Sequence, residues 1–89
     1  MNNEKQKRLE ELVNFHTSRN EKCEKEIKRL EEEIAANDKE IRKLDDQLTK
    51  NRLINTNEHD RYLIRRNKEE IERNDDIINA LEFVDKGLR

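Results

Sequence analysis

Ile27, Leu30, Ile34, Ile41, Leu44 and Leu48 recur in alternating steps of three and four, with Asn37 filling the one polar step. This is a heptad stripe, with Ile27, Ile34, Ile41 and Leu48 at position a and Leu30, Asn37 and Leu44 at d. A helix cannot bury so narrow a stripe alone, so a second helix must cover it. Proline is absent and the one glycine is Gly87, so nothing in the interior obliges a helix to stop. An all-α protein is expected.

The register extends back through Cys23, Asn20, His16, Val13 and Leu9. Beyond Leu48 it fails, because Asn55, Glu58 and Arg65 would enter the seam. A second register fits better, with Ile64, Ile71 and Ile78 at a and Asn67, Asn74, Leu81 and Leu88 at d. The slip of two residues falls at 51–57, where Asn and Thr lower helix propensity and Thr56 or Asn57 can cap a new helix. The pattern predicts a long coiled-coil helix over about residues 4–86, built of a heptad segment 1–52, a break at 53–57 and a second segment 58–89. A kink ranks ahead of a turn, because tight helix–helix turns usually use Gly or Pro. The alternative is an antiparallel hairpin assembling into a bundle, with Ile78 beside Ile34 and Ile71 beside Ile41.

Hydrophobic residues make up 30% of the 89, too few for an ordinary globular core, and 47% are charged. The net charge of −2 argues against a chain built mainly to hold nucleic acid. One cysteine, Cys23, gives no disulfide framework. No apolar run reaches the length of a signal peptide or membrane span, so an intracellular place, cytoplasmic or nuclear, and no membrane partner are expected.

The seam predicts self-association through Leu9, Val13, Ile27, Leu30, Ile34, Ile41, Leu44, Leu48, Ile64, Ile71, Ile78 and Leu81. Its flanks from Glu24 to Asp45 are acidic, which opposes a parallel homodimer and suits a helix with basic flanks. Each exposed charge pair is worth only about 0.2–0.5 kcal/mol, however, against roughly 1.5–3 kcal/mol for each buried Ile or Leu. Self-association therefore survives. His16, Asn20, Asn37, Asn51, Asn67 and Asn74 are polar seam residues that would set register. The Ile-x-x-Asn spacing at Ile34–Asn37, Ile64–Asn67 and Ile71–Asn74 resembles the Asn-at-d layers of some trimeric viral and adhesin stalks. Ile at a with Leu at d instead favours two strands, so a parallel dimer is expected ahead of a trimer.

His16, Asn20 and Cys23 share one stripe, but seam layers a heptad apart lie about 10 Å apart, too far for one tetrahedral ion. No metal site and no cofactor are expected. Arg61, Arg65, Arg66 and Lys68, with His59 and Tyr62, read as a solvated face paired to Glu69, Glu70 and Glu72 along the helix. Near the end, Ile77, Phe83, Val84 and Leu88 widen the apolar band into a candidate docking site for another protein. No catalytic constellation is present, so no enzyme is expected. The reading is a non-enzymatic coiled-coil oligomerisation, spacer or adaptor protein of a larger assembly. The alternative is a small helical regulator or inhibitor, of phage or viral type, binding a target through its acidic face or C-terminal band.

Overall fold

The computed structural model describes residues 2–88. Helix α1 spans Asn2–Lys43 and helix α2 spans Gln47–Leu88, each 42 residues long. A helix of that length measures about 63 Å at 1.5 Å per residue. The molecule extends 68 × 14 × 12 Å, so the helices lie side by side as an antiparallel hairpin. Its radius of gyration of 19.9 Å is well above the roughly 12 Å of a compact chain of this length.

The chain reverses at Leu44, Asp45 and Asp46. The Leu44 amide still donates to the Glu40 carbonyl at 3.1 Å, and Arg42 and Lys43 place positive charge on the last turn of α1. Asp46 then opens α2. Its Oδ1 accepts the Leu48 amide at 3.2 Å, its Oδ2 accepts the Thr49 hydroxyl at 2.5 Å, and its carbonyl accepts the Lys50 amide at 3.0 Å. These bonds hold its carboxyl below the usual carboxylate range, the Thr49 hydroxyl contributing most. One N-cap thus serves the start of α2. Among the described residues no backbone has positive φ, so this turn needs no glycine.

Two expectations are corrected. The single helix over 4–86 is two helices, and the break expected at 51–57 begins five residues past Asp46, the last residue of the real turn. Residues 51–57 sit inside α2, where the Thr56 hydroxyl bonds back to the Arg52 carbonyl at 3.0 Å instead of capping a new helix. Met1 and Arg89, the outermost residues of the two expected segments, lie outside the described residues.

The earlier turn also shifts the pairing. Asn20 meets Asn74 and Asn37 meets Asn57, so Ile71 and Ile78 lie toward the open end rather than beside Ile41 and Ile34. The seam of α1, expected to meet a second copy in parallel, meets α2 of the same chain instead.

This pairing has an internal symmetry. Asn20, Glu21, Ile27, Arg29, Glu32, Glu33, Ile34, Asn37, Asp38, Ile41 and Leu44 each recur 37 residues later, so 11 of the 25 positions in 20–44 match 57–81. The contacts recur with the residues. Asn74 donates to Asn20 and Asn20 to Asp75, both at 2.9 Å. Their equivalents are Asn37 donating to Asn57 at 2.9 Å and Asn57 to Asp38 at 3.0 Å. A two-fold rotation normal to the hairpin therefore lays α1 on α2. The two-residue register slip is this repeat: 37 residues are five heptads and two more.

Little apolar surface is sealed inside. Cys23 and Leu30 are the buried apolar residues, Leu30 at 1% exposure. Leu9, Val13, Ile27, Ile34, Ile41, Leu44, Ile64, Ile71, Ile78 and Leu81 are half-buried, because two helices cover only part of each side chain. Leu48 departs from the expected seam at 62% exposure. It follows the Asp46 cap, where α2 has its own register and turns that position outward.

Candidate interaction surfaces

Two polar layers cross the hairpin interior. In the layer nearer the open end, the Asp75 carboxylate can only accept, which fixes the direction of every bond behind it. Asn20 must offer Asp75 its amino group, leaving its carbonyl for the Asn74 amino group. Asn74 then has its own carbonyl free, and His16 donates to it from Nδ1–H at 3.0 Å. The second layer runs Asn37 to Asn57 to Asp38 in the same sense. There the equivalent of His16 is Leu53, so the chain stops one bond earlier. Asn20, Asn57 and Asn74 are all buried.

The other polar residues expected in the seam behave differently. Asn67 turns its amide back to the Leu63 carbonyl of its own helix at 2.9 Å, and exposed Asn51 accepts from Gln47 at 2.9 Å. Asn57, read from sequence only as a possible cap, is 2% exposed in the interior. The signal that would have found it is its identity with Asn20 one repeat earlier.

Beside the first layer, Arg19 grips Glu70 through Nε at 3.0 Å and Nη2 at 2.6 Å. The Cys23 thiol donates to the other carboxylate oxygen at 3.5 Å. The Arg19 guanidinium, with help from Cys23, holds the Glu70 carboxyl below its usual range. Burial, followed by the carboxylate, pushes the Cys23 thiol up. The i, i+4 spacing would pair Glu70 with Arg66 on its own helix; the tertiary contact with Arg19 takes it instead. The Arg19 guanidinium also lies 5.7 Å from the centre of the Phe15 ring. Along α1, Arg29 holds Glu26 at 2.6 Å and Glu33 at 3.5 Å.

Asp60 takes the place that Cys23 holds in the first repeat. It is 4% exposed and its Oδ2 has no hydrogen-bond partner. The Arg29 guanidinium feels the Asp60 charge, but a buried carboxylate oxygen without a hydrogen bond is still a cost to folding.

The open end carries apolar residues on its outside. Leu12, Phe15, Ile77 and Val84 are exposed, Phe15 at 54%, and Phe83 reaches 79%. Leu88 is half-buried. Of the expected docking band, Ile77, Val84 and Leu88 border grooves between the helices, whereas Phe83 lies more than a quarter-turn away from Val84 on the outer side of α2. Residues seven apart share a helix face, so Lys5, Leu12 and Arg19 line up on α1, as do Glu70, Ile77 and Val84 on α2.

The basic cluster around Tyr62 is exposed, with the Arg65 guanidinium 5.6 Å from the ring centre. Among the described residues no group of three or more His, Cys, Asp or Glu is placed to hold a metal ion. No helix among them is long and apolar enough to cross a membrane. No protein-family model, curated protein or solved structure matches this chain.

Proposed function

We propose that this chain is a non-enzymatic coiled-coil interaction protein, a homo-oligomerising spacer or adaptor within a larger assembly. One observation carries the reading. The buried layers are largely polar, while Leu12, Phe15, Ile77, Phe83 and Val84 lie outside. Buried Asn layers favour one pairing over its slipped alternatives at a cost in stability. Exposed apolar clusters gain free energy when another surface covers them. The intramolecular seam then acts as a stiff arm of defined length, and the outside carries association. The assembly is then one of hairpins rather than of single helices.

The second reading, a small regulator that caps one target through the C-terminal band, draws on the concentration of exposed apolar residues at one end. Sedimentation of the purified chain and purification of its native complexes separate the two. Masses at multiples of 10.9 kDa and a stable multisubunit complex are the expected result. A monomer at every concentration, captured one-to-one on an active enzyme, would overturn the adaptor reading in favour of the regulator.

A further inference from the structure

The open half of the hairpin is polarised across its thickness. The front presents the apolar residues Leu12, Phe15, Ile77 and Val84 between the cations Lys5, Arg8, Arg19 and Arg73. Among the described residues that line these grooves the one carboxylate, Glu70, is already held by Arg19. The back has a second apolar groove, floored by Leu9, Val13 and Leu81 and edged by Glu10 and Glu82. One side is apolar with a basic rim, and the other is apolar with an acidic rim.

The internal repeat shows that this dressing is not needed to make the hairpin. Thirty-seven residues away, the equivalents of Leu12 and Phe15 are Thr49 and Arg52, and those of Ile77 and Val84 are Glu40 and Gln47. The helices pair at the turn end without apolar residues at these outer positions. At the open end the same positions are apolar and exposed.

We propose that the occupant of the front is the back of a second copy of this chain, so that hairpins stack front to back at their open ends. This proposal rests on the interaction reading above and names its surface. Front-to-front contact would set cations against cations, whereas front-to-back contact sets Arg8 and Arg73 against Glu10 and Glu82 while covering both apolar strips. Such an interface joins two different patches, so each copy keeps one front and one back free for the next. The product is a ring if the rotation closes and a filament if it does not.

The test is sedimentation of the full chain with variants at these outer positions. Phe15→Ser with Ile77→Ser disables the front, and Glu10→Lys with Glu82→Lys disables the back. Each pair should weaken self-association at least about tenfold, because each breaks one half of the same contact. Mixing the two variants should restore a one-to-one complex and nothing larger, since one intact front and one intact back remain. A misfolded variant cannot give that rescue. Glu40→Ala with Arg52→Ala, at the equivalent turn-end positions, should leave association unchanged. Three outcomes overturn the proposal: a back variant that still dimerises, oligomers indifferent to both pairs, or a wild-type monomer at every concentration. Oligomers indifferent to both pairs would leave the interaction reading standing, and a persistent monomer would remove both.

Discussion

At the open end, Leu12, Phe15, Ile77 and Val84 face outward, while Thr49, Arg52, Glu40 and Gln47 hold the equivalent positions at the turn. Between the two ends the helices share Asn–Asn–Asp layers with the same donors and acceptors. The difference separates two jobs. The repeated interior aligns α1 with α2, and a two-fold arrangement needs each element twice. The ends are free to diverge because only one of them has to make the covalent turn.

The largest effect expected from challenging this equivalence is at the layers themselves. Asn20→Ala and Asn57→Ala should each destabilise the hairpin by about 1–3 kcal/mol, since each leaves an amide and a carboxylate of the other helix without their partner. Asn20 should cost more, because the amide it strands, that of Asn74, is buried, whereas the one stranded by Asn57, that of Asn37, is half-buried. Urea unfolding followed by circular dichroism reads both. A cost at Asn20 with none at Asn57 would show that the two layers are alike in geometry only.

Asp60 sharpens the comparison in the opposite direction. Its counterpart Cys23 donates to a carboxylate, whereas Asp60 Oδ2 is buried without a hydrogen bond. Asp60→Leu should therefore stabilise the fold, by about 1–2 kcal/mol, in the same unfolding assay. Loss of stability would mean that the Asp60 charge is held by its surroundings more strongly than its burial costs.

The smallest effects belong to the turn. Asp46→Ala should lower the melting temperature by roughly 4–8 °C, the shift that a lost cap gives a domain of this size. The folded carboxyls of Asp46 and Glu70 are both held below their usual range, so the unfolded chain binds their protons first. Their contribution is complete above the ordinary carboxylate range near pH 4 and is lost as pH falls through the lowered folded values. Thermal melts from pH 6 to pH 2 should show this loss. Asp46→Asn should flatten the part due to the cap and leave the part due to Glu70.

Helix content, the heptad stripe and most of the half-buried seam were legible because residue spacing alone decides which side chains share a face. The turn was harder to place. Leu44 and Leu48 continue the stripe across it, while Asp46 and Thr49 carry the capping signal in between. A cap stabilises locally and is silent in the apolar pattern. The repeat was visible as a two-residue slip, but a slip reads equally as a kink until the partner of each residue is known. Asn20 and Asn37 stood out as polar seam residues, and Asn57 did not, because it fell in the stretch read as a break.

The sequence by itself determined that this chain is helical, that its helices need a covering surface, and that amides sit in the seam. Periodicity and composition act through nearest neighbours along the chain, and these properties follow from them. Tertiary structure alone decided that α2 supplies the cover, that Asn57 rather than Leu48 belongs inside, and that Glu70 serves Arg19. Those choices depend on where one aspartate starts a helix, since moving the turn by a few residues changes the partner of every residue beyond it.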